Sequence, residues 1–397
     1  MIEKRDIPEA VPFQFTKKLK TILGIAAVVG VVALLWGLLI ARVPSSRLWA
    51  NVWLNSLMFL FFGLGALFFW AVNTLGESGW QTSFQRVLEA MGQTIPFAAI
   101  LFLLAFPGLH DLFEWTHKGH LDEILEKKEA FLNLPFWLIR FVVYFGVWTM
   151  FAMRLRKISL KNDLEADANY LKKLRNTSGW FIVFFAVSSS MSAWDWLMSI
   201  DAHWFSTLYG WYTFSSMFVL ALSMIILIVV GFKKYNILPH INEEHLHDLG
   251  KYLFGFSIFW AYLWISQFLL IWYGNIPEET VYFVERVDHF KILFFTNVVV
   301  NFAFPFLALM TRGSKRQPLY LAVIAIVLII GHWIDLYLAI MPGVVGYEHA
   351  GIGVLEIGLP FLYIAIFLWI FFMSFGKARA VPENHPYFKE SFDYENI

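Results

Sequence analysis

The chain has 397 residues, 59% of them hydrophobic and only 15% charged, with a mean hydropathy of +0.61. Soluble domains run at roughly 45–50% apolar and about 25% charged residues, so an ordinary water-soluble enzyme is excluded. Lys+Arg and Asp+Glu each total 30, a balance that excludes disorder and leaves no footprint for nucleic acid. With no cysteine, disulfides, cysteine-held zinc, iron–sulfur clusters and covalent c-type haem are all excluded from this chain. The composition is that of an integral membrane protein, and 42 Phe and 18 Trp suit lipid-facing helices with interfacial belts.

A helix needs about 20 apolar residues to cross the hydrocarbon core. Ten segments qualify, at 21–41, 51–75, 85–107, 134–153, 179–199, 207–231, 252–273, 290–311, 318–341 and 353–375. The first is longer than the roughly 7–15-residue apolar stretch of a signal peptide and runs into Arg42-Val43-Pro44, so it reads as a true first helix. With the N-terminus in the cytoplasm, 22 Lys+Arg fall on the inner side and seven on the outer. That asymmetry places both termini, 1–20 and 376–397, in the cytoplasm. The outer connection 108–133 carries Asp122, Glu123, Glu126, Lys127, Lys128 and Glu129, which predicts a short amphipathic surface helix. The inner connection 154–178 is charged and helix-prone. Neither is large enough for a separate domain, so function must lie between the helices or at a partner surface.

An ionisable group near the bilayer centre costs roughly 2.5–3.5 kcal/mol, whereas an interhelical hydrogen bond is worth about 0.6 kcal/mol. Helix 3 carries Arg86, Glu89 and Gln93 on one face, followed by Thr94 and Pro96. Glu89 is a candidate proton acceptor, with a plain Arg86–Glu89 ion pair weighing equally. Helix 5 carries Ser188, Ser192, Asp195 and Ser199 on one stripe, a polar track for water that leads to Asp201 and His203. For the last two, a capping and belt role has equal weight. Helix 9 carries His332 and Asp335, whose i, i+3 spacing puts both on one face and suits a proton relay or a hydrogen bond to a quinol hydroxyl; the bland reading is a bond that only pins helices. Arg140, inside helix 4, requires a carboxylate, and Asp195, Asp335 and Glu356 are the candidates. His289, Asn297 and Asn301 fall along one face of helix 8, and helix 7 adds Gln267. Only His332 is deep, which excludes bis-histidine haem, and no metal-ligand spacing occurs.

Three stretches carry a resemblance: WDWLMSIDAHWFST at 194–207, WYGNIPEET at 272–280 and GHWIDLYLAIMP at 331–342. Together they resemble the ten-helix membrane subunits of bacterial alternative complex III, a quinol:cytochrome c oxidoreductase, within the polysulfide-reductase membrane-subunit (NrfD/PsrC-like) family. The length and short tails are closer to the smaller, F-type subunit. The resemblance implies an all-α polytopic fold of ten transmembrane helices, as two four-helix bundles plus two additional helices, in the bacterial inner membrane. It implies quinone binding (menaquinone or ubiquinone) or proton translocation through half-channels, with haem c and iron–sulfur clusters in partner subunits and none here. The implied partners are an NrfD-like C subunit, an iron–sulfur subunit, c-type cytochrome subunits, lipid and a terminal oxidase. Candidate proton carriers are Glu89, Asp195, Asp201, His203, His332 and Asp335, and Asn275, Glu278 and Glu279 match the outer-loop motif. A proton-coupled secondary transporter and a structural scaffold are the competing readings of the same acids.

Overall fold

In hydrocarbon every backbone N–H and C=O must be bonded within the protein, and a helix achieves this without a neighbour. The computed structural model describes residues 13–117, 122–392 and 394–395. Among them there is no strand, and ten helices are long and apolar enough to cross a membrane. They are α1 (Lys17–Ile40), α2 (Ser45–Leu75), α3 (Trp80–Leu104), α4 (Leu134–Leu164), α5 (Tyr170–Ile200), α6 (Tyr209–Lys234), α7 (Glu243–Gly274), α8 (Lys291–Ala308), α9 (Pro318–Tyr347) and α10 (Val354–Phe375). The all-α, ten-span expectation holds. Residues 1–12 of the expected N-terminal segment lie outside the described residues.

Several helices overrun their apolar windows. α4 and α5 continue through the charged stretch 154–178 and meet at a break of only five residues, 165–169. Once a helix is nucleated, each added residue gains a hydrogen bond, and charge is no obstacle outside the hydrocarbon. Two helices are interrupted where proline removes a donor. In α3, Pro96 cannot bond the Gly92 carbonyl; the helix breaks at Gln93–Thr94, and Thr94 Oγ1 donates to the Met91 carbonyl at 2.7 Å. In α8, Pro305 leaves the Asn301 carbonyl free, and the backbone widens into a π turn over Val299–Ala303.

Helices α2 to α5 form one four-helix bundle and α6 to α9 a second, while α1 packs along α10 as an extra pair. α2 is the hub, against α3, α5, α6, α9 and α10, and 94% of its apolar window is buried. Without a hydrophobic drive between helices in lipid, small residues permit such close approach. A Cβ on Gly65 of α2 would lie 2.4 Å from Ala221 Cβ of α6, and one on Gly358 of α10 would lie 2.2 Å from Ala33 Cβ of α1. Two apolar clefts flank the hub, about 770 Å³ between α5, α6 and α7 and about 810 Å³ between α1, α6, α9 and α10.

The bundle has a terminal face, where α1 starts and α10 ends, and an opposite, distal face. The tail after α10 folds back across the terminal face. Asn162 and Asn384 exchange amide-to-carbonyl bonds of 3.0 and 2.9 Å, Ser391 Oγ donates to the Trp80 carbonyl at 2.9 Å, and Asn242 Nδ2 donates to the Tyr394 carbonyl at 2.8 Å. The tail thus ties together the 2–3, 4–5 and 6–7 connections. On the distal face Asp122 caps a short helix, Glu123–Lys128, as expected for the 108–133 connection; residues 118–121 lie outside the described residues.

His385 in the tail is buried, and burial together with the Arg86 charge pushes it down to about 4 from its ordinary 6.5. A released tail therefore binds the proton better than a docked one. Docking is at full strength above about pH 6.5 and weakens as pH falls toward about 4. Limited proteolysis should cut the tail faster near about pH 5 than near about pH 7.5, and His385→Asn should flatten that dependence.

Candidate functional site

On the terminal face, the first turns of α3 bring Gln85, Arg86 and Glu89 against the end of α4. Glu89 Oε1 accepts from Ser159 Oγ at 2.6 Å and Gln85 Nε2 at 2.9 Å, and Oε2 accepts from Arg86 Nη1 at 2.6 Å. Arg86 Nη2 also pairs with Asp163, so one guanidinium serves two carboxylates. Arg86 and Glu89 are 2% and 1% exposed. The expected Arg86–Glu89 pair is present, inside a wider network. Gln93 lies apart from it, donating to the Ala152 carbonyl at 3.1 Å.

In the distal half of the first bundle, Arg140 takes Asp195 rather than Asp335 or Glu356. The pair is bidentate, Nε to Oδ2 at 2.8 Å and Nη2 to Oδ1 at 2.6 Å, and Tyr144 donates to Oδ2 at 2.9 Å. Phe131 and Phe136 stack over the guanidinium, 4.0 and 4.3 Å from it. Asp195 is fully buried, and both of its oxygens are bonded by the guanidinium. The serine stripe does not make a continuous hydrated track. Ser188 accepts from Trp148 Nε1 at 3.0 Å, Ser192 donates to the Ser189 carbonyl at 2.9 Å, and Ser199 donates to the Asp195 carbonyl at 2.6 Å. The crevice beside Ser192 is about 10 Å³, at the lower limit for one water.

The second bundle treats its acid differently. Asp335 on α9 is 3% exposed and held by neutral donors from three other helices. Oδ1 accepts from the Tyr212 hydroxyl and from Asn297 Nδ2 at 2.9 Å; Oδ2 accepts from Trp260 Nε1 and Ser216 Oγ, each at 3.1 Å. Among the described residues the nearest group able to carry positive charge in contact with it is His332, with Nδ1 at 3.8 Å. Ser216 Oγ also bonds His332 Nδ1 at 2.9 Å. A hydroxyl has one proton. With that proton on Asp335, Ser216 accepts Nδ1–H, and His332 Nε2 is left as a bare, buried lone pair with no partner among the described residues. The Asp335–Ser216–His332 chain is therefore a hydrogen-bonded path ending in a proton acceptor. Asn301, four residues on and on the same face, continues the polar wall by donating to Asn297 Oδ1 at 2.6 Å. A cavity of about 30 Å³, the room of one water, adjoins Asp335 on the distal side and is lined by Gln267, Tyr282, Arg286 and Asn297.

The remaining candidates are separate. Asp201 pairs with Arg286 at 2.9 Å. His203 is on the distal surface, where Nε2 meets Asp122 at 2.7 Å and clasps two loops. Bonds from the Leu125 N–H and from His203 hold the Asp122 carboxyl below its usual range. Glu356 is bound by Arg47 at 2.7 and 2.8 Å and by Asn51 at 2.9 Å, and accepts from Gly353 N, which closes the α9–α10 turn. Asn275 takes a left-handed conformation (φ 46°) that ends α7, and Glu278 and Glu279 occupy the first turn of the helix Pro277–His289. His289 ends that helix and stacks on Tyr347 at 3.8 Å, so it does not share a face with Asn297.

Thus the candidates form a terminal cluster and a distal one, with a neutralised ion pair beside the second. Residues not anticipated are Ser159 and Asp163 at the terminal cluster, and Tyr212, Ser216, Trp260 and Arg286 at the distal one. Tyr212 and Ser216, four apart, share a helix face, which is the one signal that marks them. Comparison with family models and with curated proteins finds no match to this chain.

Removing one partner of a buried ion pair typically costs about 3–5 kcal/mol, because the other charge stays unpaired. Arg140→Met should therefore destabilise the protein strongly in detergent thermal unfolding, and the Arg140→Met/Asp195→Asn double variant should recover most of the loss. A double variant as unstable as the single one would show that packing, not charge pairing, dominates there.

Proposed function

We propose that this chain is a membrane subunit of a respiratory quinol:cytochrome c oxidoreductase of the alternative complex III type, and that it carries protons between the two faces of the bacterial inner membrane. The observation that carries the reading is Asp335: a buried carboxylate with neutral donors only, hydrogen-bonded through Ser216 to an unpartnered imidazole nitrogen beside a water-sized cavity. Its two oxygens together take four neutral donors and no cation, so a charge there is stabilised without being cancelled. Asp195 illustrates the alternative, a charge matched by a guanidinium.

In this reading the basic terminal face is cytoplasmic, and the Glu89–Arg86–Asp163 cluster lies at the cytoplasmic side. Asp335 and His332 form the periplasmic-side site. Tyr212 and Asn297 orient the carboxylate, Ser216 passes a proton between it and His332, and Trp260 shields the pair from lipid. Between the clusters α2, α6 and α9 pack through buried Leu, Met and Phe, so coupling to redox chemistry in partner subunits runs through conformation or field. The cavity beside Asp335 holds about one water, so in this reading a quinol is met elsewhere, in one of the two apolar clefts or in a partner subunit. The interruptions in α3 and α8 fall at unmatched positions of the two bundles, which counts against a transporter built on paired broken helices.

Asp335→Asn in the complex reconstituted into vesicles should lower proton release per quinol oxidised by about half or more while leaving assembly intact, and His332→Gln should act in the same direction. Unchanged rate and stoichiometry in both variants, or a polypeptide that does not copurify with c-type cytochrome and iron–sulfur subunits, would overturn the proposal.

A further inference from the structure

The amphipathic helix Pro277–His289 lies on the distal face with Glu278 and Glu285 exposed, yet sends Arg286 inward to 2% exposure. Arg286 donates from Nε to the Leu338 carbonyl at 2.9 Å, from Nη1 to the Tyr282 carbonyl at 2.8 Å and from Nη2 to Asp201 at 2.9 Å. Those bonds use three of its five N–H groups, leaving two free to face the small cavity that Arg286 and Asp335 line together. Gln267 Oε1, buried on the same wall, has no partner among the described residues, as expected for an atom that bonds water. Tyr282 lies under the guanidinium at 3.3 Å and stacks on Trp204 at 3.9 Å, which locks the helix to the turn carrying Asp201. The titratable groups around this core are Tyr212 and His332 at Asp335, and Tyr209, Tyr282 and Asp201 at Arg286. Asp201 is 20% exposed at its side chain and Asp335 is closed off. One cation thus stands between an acid open to the distal surface and an acid sealed within the bundle.

We propose that Arg286 is the positioning residue of the distal site, dividing its charge between Asp201 and, through water in the shared cavity, Asp335, so that the helix Pro277–His289 governs the charge on Asp335. The proposal deepens the proton-carrier reading and rests on it for biological meaning, though not for its physical test. The terminal cluster has the same plan in closed form, with Arg86 directly bonded to both Glu89 and Asp163.

The test uses dicyclohexylcarbodiimide on the full chain in native membranes, with labelling of Asp335 read by peptide mass spectrometry. The reagent adds only to a protonated carboxyl, and Asp335→Asn supplies the background. Arg286→Met should raise labelling of Asp335 roughly fivefold or more, and Arg286→Lys should stay near wild type. Asp201→Asn should lower labelling below wild type, because Arg286 then serves Asp335 alone. That opposite sign cannot come from a broken brace, since both backbone bonds of Arg286 survive in Asp201→Asn. If Arg286→Met does not fold, the Asp201→Asn arm decides by itself. Labelling that rises in Asp201→Asn, is unchanged in Arg286→Met, or stays at background in every variant overturns the proposal. Labelling shifts as expected with normal proton release in Asp335→Asn would sink the functional reading and leave the role of Arg286 standing.

Discussion

A charge inside a lipid-facing bundle has to be matched, and the two bundles of this protein match theirs in opposite ways. In each, an acid on the fourth helix, Asp195 or Asp335, is met by side chains from the third, Arg140 with Tyr144 or Asn297 with Asn301 behind it. The first bundle spends a guanidinium and closes the account. The second supplies a tyrosine, an asparagine, a tryptophan and a serine, which stabilise the carboxylate without cancelling its charge. One helix order, run twice in the same direction, thus yields an ion pair in one bundle and a carboxylate with neutral donors in the other.

That difference organises the rest of the molecule. The central helix α2 can pack against five others because small residues at its contacts let backbones approach, and this sets both bundles around one axis. The buried ionisable groups of the candidate site thereby fall in two zones, one near each face, with mostly apolar packing between them. Asn297 and Asn301, four apart on α8, share a face, and that pairing survives the π turn at Val299–Ala303 and extends the polar wall of the distal site.

Much of this was legible from residue types. Hydropathy located all ten helices, and Pro96 marked the break in α3, whereas Pro305 in α8 was not set apart from Pro342 and Pro360, which stay inside their helices. Arg140 announced that it needed an acid, and His332 with Asp335 announced a shared face. The serine stripe of α5 misled because spacing reports only direction: it cannot tell that Trp148 and nearby carbonyls claim those hydroxyls. The 272–280 motif likewise builds a helix end and a helix start, and the buried Arg286 lies beyond it in a segment too polar to count as a span.

By itself the amino-acid sequence determined the spans and the residues too costly to bury without reason, because hydropathy and charge are local properties of each segment. Which carboxylate receives Arg140, which is left with neutral donors, and which shares a water-sized cavity with Arg286 were decided only by the tertiary structure. Those pairings join helices far apart in the chain, and their energies depend on distances of about 3 Å that no periodicity encodes.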